Sequence, residues 1–112
     1  MADEESELLR RYEDLVDDLL GEPGVTPPRG GAGFGRSAIK YNGKIFAMLV
    51  RGQVVLKLPE TRVDELTAAG DGVRFDANKG TAMREWLALR RDAGQDWLAL
   101  AREALAFARS LR

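Results

Sequence analysis

The sequence predicts an α+β fold, a two-layer sandwich in which a mainly antiparallel five-stranded sheet carries helices on one face. Segments with apolar residues at helical spacing stand near both ends of the chain. Short apolar segments joined by tight-turn signals lie between them, interrupted by one short helical segment. The predicted order is α-β-β-β-α-β-β-α. With 112 residues, the chain is expected to form a single domain over residues 1–112.

The first element is a helix that Gly21 and Pro23 end. Its acidic first residues suit the positive end of the helix dipole. Residues 21–36 then form a long loop rich in glycine and proline, which is either mobile or functional. Apolar residues of the helix recur at spacings of three and four and are expected to share one packing face: Leu8, Leu9, Tyr12, Leu15, Val16, Leu19 and Leu20.

Three strands in a meander follow, "SAIKY", "KIFAMLV" and "QVVLKL". Asn42-Gly43 is the hairpin signal between the first two, because a type I′ turn needs positive φ at both central positions. Arg51-Gly52 predicts a second tight turn. The middle strand is apolar on both faces, as expected of a central strand. Strict alternation places its side chains in two sets on opposite faces, Ile45, Ala47 and Leu49 against Phe46, Met48 and Val50.

The second half of the chain begins with a short helix in "PETRVDELTAAG", where Pro59 suits the first turn and Gly70 follows the end. Two weaker strands, "GVRFDA" and "TAMREWLAL", are joined around Asn78-Lys79-Gly80. A terminal helix is predicted from Ala93 or Gln95 to Leu111, with Asp96 near its start. Its buried stripe is expected to contain Trp97, Leu98, Ala101, Ala104, Leu105, Ala108 and Leu111.

Composition narrows the classes of function. The chain has neither histidine nor cysteine, so it lacks the commonest general base, the commonest transition-metal ligand and a thiolate nucleophile. We expect no enzymatic activity, no cofactor and no metal. The acidic N-terminal segment lacks the pattern of a signal peptide, and no apolar run is long enough to span a membrane. We therefore expect a cytoplasmic protein without membrane contact.

Charge is unevenly distributed, although the net charge is −1. Residues 1–28 contain nine acidic and two basic side chains, whereas residues 29–91 contain twelve basic and six acidic ones. An acidic helix lying near a basic sheet is one interpretation, and a basic face that contacts nucleic acid is another. The near-zero net charge disfavours nucleic acid as the partner, because such domains are usually basic as a whole.

The segment "RGGAGFGRS" poses the question of phosphate binding. A P-loop needs lysine followed by serine or threonine after its last glycine, whereas Arg36-Ser37 follows Gly35 here. The dinucleotide fingerprint also fails, since its third glycine would fall at Arg36. Basic residues around the loop and along the sheet remain as candidate contacts for an anion or a partner: Arg29, Arg36, Lys40, Lys44, Lys57 and Lys79.

An ordered set of motifs adds a resemblance. Phe34-Gly35 precedes the first strand, "NGKIFAML" forms the hairpin, "VVLKLP" and "AAG" follow, and "KGTAMREWLAL" and "DWLALAREALAFA" complete the set. Over roughly residues 8–110 the chain resembles the N-terminal domain of the TfoX/Sxy family and, more distantly, the MmcQ/YjbR family. The resemblance implies a secretion chaperone-like α+β fold, a role as a transcriptional co-regulator and no catalytic motif.

Three functions stay open at this point. The first is a non-enzymatic regulatory or protein-interaction module that binds an unidentified protein or forms a homodimer. The second is a nucleic-acid-binding module that uses the basic 29–91 segment. The third is a domain that binds a small anion or metabolite beside the glycine-rich loop. The basic residues assigned to the second function are Arg29, Arg36, Lys40, Lys44, Lys57, Arg74, Lys79 and Arg84.

Overall fold

In the computed structural model, residues 2–26, 38–50, 53–75, 84–90 and 96–111 are described, and they form helices and strands in two layers. The strands make one antiparallel sheet in the order β1-β2-β3-β4-β6-β5. The predicted α+β fold is confirmed. In chain order the elements are α1 Ala2–Leu19, β1 Val25–Thr26, β2 Ile39–Tyr41, β3 Lys44–Val50, β4 Gln53–Lys57, α2 Glu60–Ala68, β5 Gly72–Arg74, β6 Trp86–Leu89 and α3 Trp97–Ser110.

The sheet has six strands in its described part, whereas the sequence predicts five. The additional strand is β1, which lies in the segment 21–36 that we expected to be irregular. Val25 pairs with Tyr41 and Thr26 with Lys40, and the Asn42 N–H donates to the Gly24 carbonyl at 3.1 Å. A strand of two residues is too short to show periodicity in the sequence. It forms because its backbone pairs with the edge of β2.

The hairpin between β2 and β3 confirms the prediction at Asn42-Gly43, where φ is 49° and 83°. Its strands also contain a β-bulge. Ile39 pairs with Ala47 and Lys40 pairs with Ile45, so Phe46 is an extra residue in β3. The turns predicted at Arg51-Gly52 and at Asn78-Lys79-Gly80 lie outside the described residues.

The bulge changes which side chains face the helices. Phe46 and Ala47 both lie in the core cluster that contains the helices, and Leu49 packs against it. Ile45, Met48 and Val50 belong to the cluster on the opposite face. Strict alternation, which places Ile45 with Ala47 and Phe46 with Met48, is therefore wrong for the residues before the bulge. The extra residue shifts the alternation by one position.

The main core lies between one face of the sheet and the helices. Buried side chains of α1, α2 and α3 all belong to this one cluster, which confirms helices on one face for the part of the chain described. The predicted α1 face is too wide, because Leu9 and Leu20 are 47% and 38% exposed. Helix side chains buried in this core are Leu8, Tyr12, Leu15, Val16, Leu19, Val63, Leu66, Trp97, Leu100, Ala101, Ala104, Leu105 and Ala108.

Helix α3 begins at Trp97, later than the predicted start at Ala93 or Gln95. The Asp96 carboxylate sets this start because it accepts hydrogen bonds from the N–H groups of Leu98 at 3.0 Å and Ala99 at 3.2 Å. The predicted stripe omits Leu100, which is buried, and includes Leu98, which is half-buried. The first turn of α3 therefore buries Leu100, whereas the sequence predicts that it buries Leu98.

Candidate functional site

The sheet face opposite the helices, here called the outer face, carries the candidate site. None of the described helices has buried residues in the cluster on this face. The two side chains of a cross-strand pair lie on the same face of a sheet. The pairing register therefore shows which side chains lie on the outer face. They are Lys40 and Ile45, Met48 and Val55, Val50 and Gln53, Lys57 and Trp86, and Val73 and Ala88.

The centre of the outer face is buried and its margin is not. Met48, Val55 and Ala88 are each less than 5% exposed, and they pack in one cluster with Phe75. The marginal members Ile45, Val50 and Trp86 are half-buried, and Val73 on the edge strand β5 is 56% exposed. This margin therefore keeps apolar surface in contact with water.

Two of the predicted basic residues, Lys40 and Lys57, lie on this face. Lys40 projects from β2 and Lys57 from β4, so the two backbones are separated by two strand spacings, on the order of 10 Å. The Lys57 Nζ lies 5.8 Å from the centroid of the Trp86 ring, within the range of a cation–π contact. Positive charge and an aromatic ring are thus adjacent, and none of the outer-face residues assigned by the register is acidic.

The other predicted contacts are not part of this group. Lys44 pairs with Tyr41, which packs against the helix-side core, so Lys44 lies on the face opposite Lys40 and Lys57. Arg29, Arg36 and Lys79 lie outside the described residues. Of the wider basic set, Arg74 is bound by an ion pair to Asp64 of α2, and Arg84 is exposed ahead of β6.

Sequence reasoning did not assign Ile45 or Val73 to the site. Ile45 faces outward only because of the bulge, for which the sequence carries no clear signal. Val73 is exposed because β5 is an edge strand, and the order β4-β6-β5 depends on long-range pairing. Trp86 is half-buried beside Lys57 at the margin of the outer cluster.

Across the described ranges of the chain, no group of three or more acidic, histidine or cysteine side chains is arranged to hold a metal ion. None of the helices described combines the length and hydrophobicity needed to cross a bilayer.

No family model matches the chain, and neither a curated protein nor a solved structure matches it.

Proposed function

We propose that the chain is a non-enzymatic regulatory module that binds a protein partner through its outer face. The observation that carries this proposal is the apolar margin of that face, formed by Ile45, Val50, Val73 and Trp86. Removing apolar surface from water contributes about 25 cal/mol per Å². A partner that covers the margin gains this contribution, and tryptophan is among the residues that contribute most at protein interfaces.

The charges beside the margin define the partner further. Lys40 and Lys57 are half-buried on the same face, and no acidic side chain of the outer-face set opposes them. Charged groups at the rim of an interface mainly raise the association rate and select the partner. The partner that fits is a protein with an apolar patch flanked by carboxylates. A second copy of this chain and a different protein both remain candidates of that description.

The regulatory part of the proposal draws on the sequence. The ordered motifs that resemble the TfoX/Sxy N-terminal domain support a cytoplasmic transcriptional co-regulator that acts through protein contacts. The lack of histidine and cysteine supports a function without catalysis. Both arguments support the class of function, whereas the apolar margin of the outer face indicates which surface binds the partner.

Photo-crosslinking in cells tests the proposed surface. A benzophenone amino acid replaces Val73 on the outer face and, as a matched control, Leu9 on α1, since both are exposed aliphatic positions. The expected result is a crosslinked product from position 73 that is absent from position 9. Mass spectrometry of the product distinguishes a second copy of the chain from another protein.

Competition makes the test specific. Excess unlabelled wild-type chain is expected to remove the crosslink, and an Ile45→Glu variant is expected not to. Because Ile45 is half-buried at the margin, the variant is expected to fold, which circular dichroism checks. Equal crosslinking at positions 73 and 9, or equal competition by Ile45→Glu, would contradict the proposal.

A nucleic-acid-binding module is the second candidate. The occurrence of Lys40 on the same face as the adjacent Lys57 and Trp86 favours it. Proteins bind single strands by combining basic side chains with aromatic rings on which bases stack. The test is fluorescence anisotropy with a labelled single-stranded DNA. The Lys57→Gln variant is expected to weaken binding and lower its salt dependence, whereas Lys44→Gln, with the same charge change on the opposite face, is expected not to. Absence of binding at low salt would remove this candidate.

A further inference from the structure

A groove of about 280 Å³ lies between α1 and the start of α3, outside the site described above. Helix α1 contributes Arg11, Asp14, Leu15 and Asp18 to its lining. These positions follow spacings of three and four, so they form one strip along the helix. Leu15 is buried, whereas Arg11, Asp14 and Asp18 are exposed. The α1 wall therefore has an apolar base and a rim that is mainly acidic.

The opposite wall is formed by Asp96 and the first residues of α3. Trp97 and Leu98 line the groove beside Asp96. The Asp96 side chain caps the helix and adds a third carboxylate to the groove. Within the part of the chain described, Asp14 and Asp18 make no hydrogen bond or ion pair through their side chains. Three carboxylates and one guanidinium leave the groove with an excess of negative charge.

Arg11 shows which chemical group this groove accepts. The carbon atom of its guanidinium lies 3.6 Å from the centroid of the Trp97 ring, a close cation–π stack. The Trp97 side chain is only 5% exposed, and its indole N–H has no hydrogen-bond partner among the residues described. The aromatic wall thus holds a planar cation, which identifies an arginine-like group as the chemistry that it accepts.

We propose that this groove docks a basic peptide segment of a partner protein. An arginine or lysine of that segment lies between Asp14 and Asp18 and takes the place on Trp97 that Arg11 fills in the free chain. An apolar side chain of the same segment packs on Leu15 and Leu98. Complementary charge identifies the partner's chemistry, and the surface is separate from the outer face.

Fluorescence anisotropy measures the predicted binding with a short labelled peptide that alternates arginine with leucine. The control peptide carries glutamate in place of arginine. The double variant Asp14→Asn with Asp18→Asn is expected to weaken binding about fivefold or more, since each exposed ion pair contributes modestly. The matched variant Glu13→Gln with Asp17→Asn makes the same charge change on exposed residues of α1 that do not line the groove. It is expected to change binding by less than about twofold.

Arg11 provides a second test. The Arg11→Gln variant is expected to strengthen peptide binding relative to Arg10→Gln, because it removes the cation that competes for Trp97 while both variants lose one charge. Urea unfolding confirms that each variant folds. Stronger binding by Arg11→Gln supports the proposal, and binding no stronger than that of Arg10→Gln contradicts it.

Nuclear magnetic resonance separates the groove from the outer face. The chain has two tryptophans and therefore two indole N–H signals, which a Trp86→Phe variant assigns. Addition of the arginine peptide is expected to shift the Trp97 signal and leave the Trp86 signal in place. No binding of the arginine peptide at low salt, equal weakening by the two double variants, or a shift of Trp86 alone would overturn the proposal. None of these results bears on the crosslink from position 73.

Discussion

Phe46 and Ala47 are consecutive residues of β3, and both side chains lie in the core between the sheet and the helices. Alternation along a regular strand would place them on opposite faces. The bulge at Phe46 permits this arrangement, since Ile39 and Lys40 pair with Ala47 and Ile45 and leave Phe46 as the extra residue. The same bulge turns Ile45 to the outer face, where it joins the proposed interaction surface.

The bulge predicts unequal effects of truncating two neighbouring residues. Phe46 is fully buried, so Phe46→Ala is expected to lower the free energy of unfolding by about 3–5 kcal/mol. Ile45 is half-buried, and Ile45→Ala is expected to lower it by about 1–2 kcal/mol. Urea unfolding followed by circular dichroism measures both values. A larger loss for Ile45→Ala than for Phe46→Ala would contradict the observed register.

Gly24 is predicted to tolerate substitution less well than Gly43. Both residues have φ above +80°, so alanine costs about 1–2 kcal/mol of backbone strain at either position. A Cβ at Gly24 would also lie 2.6 Å from Cε1 of Tyr41, whereas a Cβ at Gly43 meets nothing within 4 Å. The total loss for Gly24→Ala is expected to be about 2–4 kcal/mol. Equal losses of unfolding free energy in urea would show that the Tyr41 ring moves aside freely.

Arg62 is predicted to couple energetically to Glu103 across the α2–α3 contact. Its guanidinium donates to both carboxylate oxygens of Glu103, at 2.9 and 3.3 Å, although both side chains are partly exposed. A double-mutant cycle with Arg62→Gln and Glu103→Gln is expected to give about 0.5–1 kcal/mol. The cycle with Glu65, which makes one contact at 3.3 Å, serves as control and is expected to give less.

The pH dependence of this coupling follows from the direction of the pKa shift. The hydrogen bond to Glu103 is the main cause that raises the pKa of Arg62 above its ordinary value. A raised cationic pKa adds stability that is present below the unfolded-state pKa and lost as the pH rises through the folded-state pKa. Because the ordinary pKa of an arginine lies far above neutral pH and folding raises the pKa of Arg62 further, the coupling is expected to stay constant between about pH 7 and pH 10. A decline within that interval would contradict the assignment.

Asp96 is predicted to stabilise α3 as its N-cap. Asp96→Ala removes the acceptor for the N–H groups of Leu98 and Ala99 and is expected to cost about 1 kcal/mol. Asp96→Asn keeps an acceptor at this position and is expected to cost only a few tenths of a kcal/mol. Thermal and urea unfolding measure both variants. A loss for Asp96→Asn as large as that for Asp96→Ala would indicate that charge, not capping, is the contribution.

Local signals in the sequence determined the order of the elements other than β1, the Asn42-Gly43 hairpin and the position of the helices on one face of the sheet. Each of these depends on residues close together in the chain: turn chemistry at two positions, or apolar spacing within one helix. The predicted contacts Lys40 and Lys57 were found from charge alone, and their occurrence on one face follows from strand alternation and pairing. Lys44 was predicted as a contact together with Lys40 and Lys57. Its closeness to Lys40 in the sequence does not show that the two side chains lie on opposite faces of the sheet.

Only the tertiary structure decided the pairing of β1 with β2, the bulge at Phe46 and the exposure of Val73 at the sheet edge. It also decided the groove, where Arg11 of α1 stacks on Trp97 of α3 although 86 positions separate them in the sequence. These features depend on contacts between segments that are distant in the chain. Such contacts form only when folding brings the segments together, so short-range patterns do not predict them. Short-range patterns therefore predicted the elements other than β1, whereas packing selected the surfaces that these elements present.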